Sequence, residues 1–242
     1  MGVTERKERE RQLREELFIA EADLMLAENG YLALNLDELA KQVEYSKATL
    51  YNHFTSKEDL VLAVTTKHMQ TRGDYFERAN LYQAPSRERI FACGIGDRLL
   101  SRQLPHSFSL SQLVCSPSIW SKCSAPRQKL FESREERVFA HCSKILYDAV
   151  AQNDLDPQKA DPEQITWGLV SLSKGSHLIN NSLTLEQHST SERSALDYLF
   201  DNYHLLLDGA QWRPLSSEVD YRNIEQKIRE DLFSQEFAAL NP

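Results

Sequence analysis

The sequence predicts an all-α protein, and three observations carry the prediction. Apolar residues recur at three- and four-residue intervals over long stretches, the period of one face of a helix. No stretch sustains an alternation of apolar and polar residues, and no Asn-Gly or Asp-Gly turn joins two such stretches into a hairpin. Small polar residues, prolines and glycines fall at the ends of the periodic stretches, where caps and terminators belong.

The first helix carries Leu13, Leu17, Ala20, Leu24 and Ala27 as its apolar stripe and stops at Asn29-Gly30. Two short helices follow, over residues 36–43 and 47–53. Ser56 caps a long helix running to about residue 79, with Glu58 and Asp59 in the first turn, where the helix dipole favours acids. Its face carries Leu60, Ala63, Val64 and Lys67. Another helix, over 87–103, starts after Pro85-Ser86. Residues 106–126, with serine-rich turns, Pro117 and Pro126, read as a short helix with irregular connections. A long helix over 127–152 is closed by Asn153-Asp154-Leu155-Asp156-Pro157. Asp161-Pro162-Glu163 sets an acid at the cap and Pro at the first position of a helix reaching residue 181. Thr190 or Ser191 starts the next, which ends near Gly209. The last helix, 218–240, is amphipathic, with Tyr221, Ile224, Ile228, Leu232 and Phe233 along one stripe.

At 242 residues the chain has room for a small domain followed by a larger one, divided here as 1–56 and 57–242. No apolar run reaches the roughly 18 residues of a membrane span, and the N-terminus has no apolar signal core. The expectation is a cytoplasmic protein without a membrane partner. Cys93, Cys115, Cys123 and Cys142 lack the spacing of a metal knuckle. They read as reduced, mostly buried thiols, the alternative being a thiol switch, which needs an exposed thiolate. The histidines are scattered as well, so no metal and no cofactor is expected.

Residues 35–59 carry the functional signal. Leu36, Leu39, Ala40 and Val43 mark the inner face of one short helix, and Ala40 is small enough for a second helix to cross close over it. Leu50 and Phe54, four residues apart, anchor that second helix. Lys47, Ala48, Thr49, Tyr51, Asn52 and His53 then face outward or sideways, with Asn35 as the cap of the first helix. A cation, hydroxyls, an amide and an imidazole on one short face suit the major groove of DNA, where base edges offer donors, acceptors and methyls. Lys57 joins the amides of the next helix start as a phosphate site. The net charge of −8 and the nine basic against thirteen acidic residues in 1–68 run against this reading. DNA affinity follows the local field at the phosphates, however, so a few placed cations decide it.

On these residues the chain resembles the tetracycline-repressor (TetR) family of bacterial transcription factors. The matching positions are Ala20 to Leu26, Gly30-Tyr31, Leu39-Ala40, Ser46-Lys47-Ala48-Thr49-Leu50-Tyr51-Asn52-His53-Phe54 and Ser56-Lys57-Glu58. The resemblance covers about the first 65 residues. It implies a three-helix DNA-binding domain followed by a helical domain that binds a small molecule and forms a homodimer. Carried over by position, Lys47, Ala48 and Thr49 approach base edges, while Tyr51, His53 and Lys57 hold phosphates. Three positions depart from the family pattern. A frequent Thr pair is Asn35-Leu36, the usual Gly-Val of the turn is Glu44-Tyr45, and the common recognition-helix Gly is Ala48. The motif stands, but the preferred operator need not follow that of relatives. The N-terminal run from Arg6 to Arg14, interleaved with acids, reads either as a helix start laced with ion pairs or as a basic arm for the DNA backbone.

Gly168, Ser171 and Gly175 form a small-residue face, and the next helix offers Leu199, Tyr203 and Leu206. These helices are expected to pair with their symmetry mates in a two-fold interface, which would read a palindromic double-stranded operator. Phe91, Trp120, Phe139, Trp167 and His177, with Phe131 and Tyr147, are the candidates for an effector pocket, and Gly94 and Gly96 are expected to open room beside Cys93. Their aromatic bias favours a largely apolar small molecule. The expectation is therefore a DNA-binding regulator, a repressor released by its effector. The alternative is an all-α binding module or enzyme with an unused N-terminal motif, for which no nucleophile–base set, metal spacing or phosphate loop is visible.

Overall fold

The structure is a computed structural model that describes residues 2–182, 184 and 192–240. Among these residues there are helices and no strands. The helices are α1 (Val3–Ala33), α2 (Leu36–Gln42), α3 (Lys47–Tyr51), α4 (Lys57–Leu81), α5 (Ser86–Gln103) and α6 (Ser107–Val114). They continue with α7 (Pro117–Trp120), α8 (Ala125–Ala151), α9 (Pro162–Asn180), α10 (Leu199–Gly209) and α11 (Tyr221–Leu240). The chain divides into two compact units, one of Met1–Met69 with Leu110–Arg134 and the other of Gln70–Ser109 with Glu135–Pro242. None of the described helices is long and apolar enough to cross a membrane.

Local signals explain most boundaries. Asn35 accepts the Asp37 amide at 2.9 Å and starts α2, and Asp161 does the same for Glu163 at the start of α9. Gly30 breaks α1 with φ 74°, a conformation that costs a glycine nothing. Asn153 ends α8 in the left-handed region, with φ 60°. The segment 106–126 holds two helices rather than one, because Pro117 is preorganised for the first position of α7. α10 starts at Leu199, later than expected, and the expected starts Thr190 and Ser191 lie outside the described residues.

In the first unit the core is built from Phe18, Ala22, Leu26, Leu36, Leu39, Ala40, Leu50, Phe54, Leu60 and Val61, all buried. The expected stripe of α1 is corrected here. Leu13, Leu17 and Leu24 are 55%, 44% and 60% exposed, and Ala20 and Ala27 are exposed too, while Phe18, Ala22, Met25 and Leu26 face inward. Both sets have the helical period, so spacing alone cannot choose between them. The face bearing the larger ring goes inside, where Phe18 meets Phe54 edge-on at 6.3 Å.

In the second unit α5 is buried over most of its length. α11 packs along it, bringing Tyr221, Ile228 and Phe233 inward, and α9 packs on α10. Gly94 lines a small cavity beside Cys93, while the room expected at Gly96 is filled. A Cβ on Gly94 would lie 2.8 Å from a ring carbon of Tyr203 and 2.9 Å from one of Phe200, and a Cβ on Gly96 would lie 3.1 Å from Tyr75. The two glycines admit neighbouring rings to the helix backbone.

Candidate nucleic-acid interface and ligand cavity

α2 and α3 form a helix-turn-helix whose turn is closed by backbone bonds from Glu44 to Lys41 (3.0 Å) and from Tyr45 to Ala40 (2.9 Å). Glu44 occupies the left-handed region, with φ 59°. Ser46 caps α3, accepting the Thr49 amide at 3.1 Å and sharing a 2.8 Å hydroxyl contact with Thr49. Leu50 and Phe54 are fully buried and fix which way the helix faces. Lys47, Ala48, Tyr51 and Asn52 are consequently exposed, and Thr49 is half-buried. Lys47 does not stand alone, since its ammonium lies 2.7 Å from Asp37 on α2 and 5.9 Å from the centre of the Tyr51 ring. Bonding to Asp37 raises the Lys47 pKa and keeps the cation charged.

The other two expected phosphate residues are placed differently. The Lys57 ammonium folds back over the Tyr31 ring at 4.6 Å and donates to the Leu32 carbonyl at 3.3 Å. Burial there lowers its pKa. The His53 side chain is only 3% exposed, and its Nδ1 sits 3.2 Å from the Glu15 carboxylate on α1. Arg127 completes this cluster, with Nη2 3.0 Å from Glu15 and 3.2 Å from the His53 carbonyl. Its Nε lies 3.5 Å from Asp59, and its guanidinium sits over the Phe54 ring at 4.5 Å. Burial alone would raise the Glu15 carboxyl, but the Arg127 charge and the bonds to His53 and Arg127 hold it below the usual range. Asp59, 1% exposed, also accepts from Ser124 and from the Thr55 amide. The end of the recognition helix is thus tied to α1, α4 and the start of α8. No spacing in the sequence marks Arg127 for this role.

The N-terminal run is helical from Val3, with ion pairs Arg6–Glu10 and Arg11–Glu8 along its surface.

A family model, "Bacterial regulatory proteins, tetR family", matches residues 18–64, the segment that contains this helix-turn-helix. The helix-turn-helix segment of the chain is therefore similar to that of tetR-family regulators. The HTH-type transcriptional activator FasR of Mycolicibacterium smegmatis is 34% identical over 79 residues, which are 33% of this chain and 36% of that protein. The match thus spans about a third of the relative's length. Among solved structures, a TetR/AcrR-family regulator from Thermobifida fusca superposes with a TM-score of 0.59 at 21% identity, covering 81% of this chain and 97% of the other. FadR of Bacillus subtilis, solved with stearoyl-CoA, gives 0.62 at 16% identity, covering 80% and 98%. At such identities the structural likeness concerns the fold.

In the second unit a small cavity of about 30 Å³ is lined mainly by carbon, from Phe76, Ile90, Leu146, Leu169 and Val170 among others. Arg72 and Asp97 also line it and pair through two bonds of 2.7 Å each. Ser173 donates to Asp97 at 2.8 Å. Burial alone would lower the Arg72 pKa, but Asp97 raises it, so the guanidinium stays charged. Tyr203, its pKa raised chiefly by burial, and the thiols of Cys93 and Cys142 complete the polar part of the wall. Asp97 is a lone acid within the apolar run from Ile90 to Leu100. A buried carboxylate demands a partner, and that was the available signal for this site.

The five expected effector residues are not brought together. Phe91 packs against Phe200, His204 and Tyr221, and Trp120 lies in the first unit against Phe131. Phe139 and Trp167, 5.7 Å apart, line an open cleft between α8 and α9 with the exposed Tyr147. His177 is buried and stacked on Phe108 at 3.7 Å, and burial pushes its pKa down to about 4.

The expected interface residues divide as well. Leu199 and Tyr203 belong to the chain's own core, and a Cβ on Gly168 would lie 2.9 Å from Leu206 across the α9–α10 contact. Ser171 is exposed, and Gly175 faces open space. Leu205 and Ile179, 73% and 41% exposed, are the large apolar residues that the sequence reading passed over. Ile179 continues the Gly168–Ser171–Gly175 face of α9, four residues after Gly175, and Leu205 lies on α10 next to Leu206.

Proposed function

We propose that this chain is a sequence-specific DNA-binding transcription regulator that acts as a homodimer on a palindromic operator. It responds to a small, largely apolar effector and serves as a repressor released from DNA when the effector binds. The observation that carries the reading is the face of α3, where Lys47, Ala48, Tyr51 and Asn52 are exposed over anchors that are fully buried. Thr49 stands at the edge of that face, and Asn35 caps α2. In this reading Lys47, Ala48 and Thr49 meet base edges and Tyr51 and Lys57 meet phosphates. His53 acts from behind, holding the end of α3 in register.

The exposed parts of α9 and α10, with Ser171, Gly175, Ile179 and Leu205, support an isologous contact between two copies. The apolar walls of the cavity support an apolar effector, and FadR, solved in complex with stearoyl-CoA, is a neighbour whose ligand has a long apolar acyl chain on a charged coenzyme A. At about 30 Å³ the cavity holds a few waters. An effector therefore has to select an opened form, and its preference for that form bounds the response.

Titration of a fluorescent duplex from the flank of the protein's own gene tests the reading. The expected result is salt-sensitive binding that weakens roughly tenfold in Lys47→Ala and less in Tyr51→Phe. Salt-insensitive binding, or none, contradicts it. Sedimentation that shows only monomer at micromolar concentration contradicts the dimer.

A further inference from the structure

Two cysteines share one wall of the second unit's cavity. Cys93 comes from the middle of α5 and Cys142 from α8, 49 positions later in the chain (142 − 93). Both residues line that wall, and each thiol lies within the other's electrostatic range. Cys93 is buried and Cys142 partly exposed. A structural thiol needs no partner of its own kind, since a lone buried cysteine packs as a small hydrophobe. Two neighbouring thiols, on separate helices and beside one cavity, form a dithiol with a defined oxidation product.

We infer that Cys93 and Cys142 are a reversible disulfide-forming site for peroxides. The chemistry divides between the two by exposure. Cys142, which solvent reaches, attacks a peroxide oxygen as its thiolate. A sulfur–oxygen bond forms, the oxygen–oxygen bond breaks, and the departing hydroxide takes up a proton and leaves as water. Cys93 then attacks the sulfenyl sulfur of Cys142. The sulfur–sulfur bond forms, the sulfur–oxygen bond breaks, and the second hydroxide leaves as water with the proton that Cys93 gives up. Two thiols are oxidised and one hydrogen peroxide is reduced to two waters. Burial, together with the neighbouring Cys142, raises the Cys93 pKa well above the usual thiol value, which suits it to the resolving step and not to the first attack.

The bond would tie α5 to α8 along one side of the cavity and set the distance between the two Cβ atoms at about 3.8 Å. That consequence for regulation rests on the reading of the cavity as the effector site. The thiol chemistry does not, so the two can fail separately.

The test treats the full-length reduced protein with a small excess of hydrogen peroxide and maps its peptides without reduction. The expected result is a linked peptide containing Cys93 and Cys142, two hydrogens lighter than the separate pair. Two of the four thiols are lost to a thiol reagent, and dithiothreitol restores both. The link persists in Cys115→Ser and is lost in Cys142→Ser. Thiols that stay reduced, Cys142 that goes to sulfinic acid without a link, or cross-links confined to Cys115 each overturn the proposal. DNA binding of the oxidised protein, measured in parallel, then reports separately on the regulatory reading.

Discussion

At the scale of single residues, Asp37 sets how available the recognition face is. The Lys47 ammonium is 2.7 Å from its carboxylate, so DNA has to take the cation from an acid that itself repels phosphate. Exposed pairs of this kind are weak, and Asp37→Asn should tighten DNA binding by roughly two- to fivefold, as read by anisotropy at fixed salt. Unchanged or weaker binding would mean that Asp37 orients Lys47 more than it competes with DNA. Glu44 carries the second residue-scale prediction. Its φ of 59° is a conformation that a side chain resists, at a cost of roughly 1–2 kcal/mol. Glycine gives part of that back in unfolded-state entropy, so Glu44→Gly should raise stability by about 0.5–1 kcal/mol in denaturant unfolding. The sequence shows both residues in plain view. It identifies Glu44 as a departure at the turn, but it does not reveal that Asp37, ten positions before Lys47, touches it, because that contact depends on how α2 and α3 cross.

At the scale of elements, the helix-turn-helix was legible and its support was not. The anchors Leu36, Leu39, Ala40, Val43, Leu50 and Phe54 are all buried as their spacing requires. The stripe of α1 was misplaced because two faces share one period. In the sequence Arg127 marks only the start of a helix, although in the fold it links Glu15, Asp59, the Phe54 ring and the His53 carbonyl. Removing one partner from a buried charge cluster typically costs 3–5 kcal/mol. Arg127 is 14% exposed and Asp59 keeps its bonds from Ser124 and Thr55, so a loss of about 2–3 kcal/mol is expected for Arg127→Ala. DNA affinity should fall with it, since the end of α3 loses its tie. A variant that unfolds within about 0.5 kcal/mol of the wild type would show that the cluster contributes little.

At the scale of the whole molecule, stability should depend on mildly acidic pH through His177. The folded imidazole titrates near 4 against an ordinary value of 6.5, because burial disfavours its charged form. Between those values the unfolded chain binds a proton that the fold refuses. The His177 contribution is therefore unaffected above about pH 6.5 and turns against the fold as pH drops towards 4, by on the order of 3 kcal/mol in all. His177→Phe keeps the stack on Phe108 and should flatten the dependence, measured as unfolding midpoints at pH 7 and pH 5. Equal slopes for the two proteins would contradict this account of His177. The sequence made the all-α class legible, because helical periods and caps are local. The cavity was not, since Arg72, Asp97 and Ser173 are brought together from α4, α5 and α9 by packing that no local pattern encodes.

The central claim is that two copies of the α3 face read DNA together. Selection of binding sites from a random duplex library by the full-length protein tests it most directly. The account predicts an enriched inverted repeat with half-sites centred about one helical turn apart, lost with Lys47→Ala. No enriched sequence, or a single half-site without its inverted partner, would contradict it.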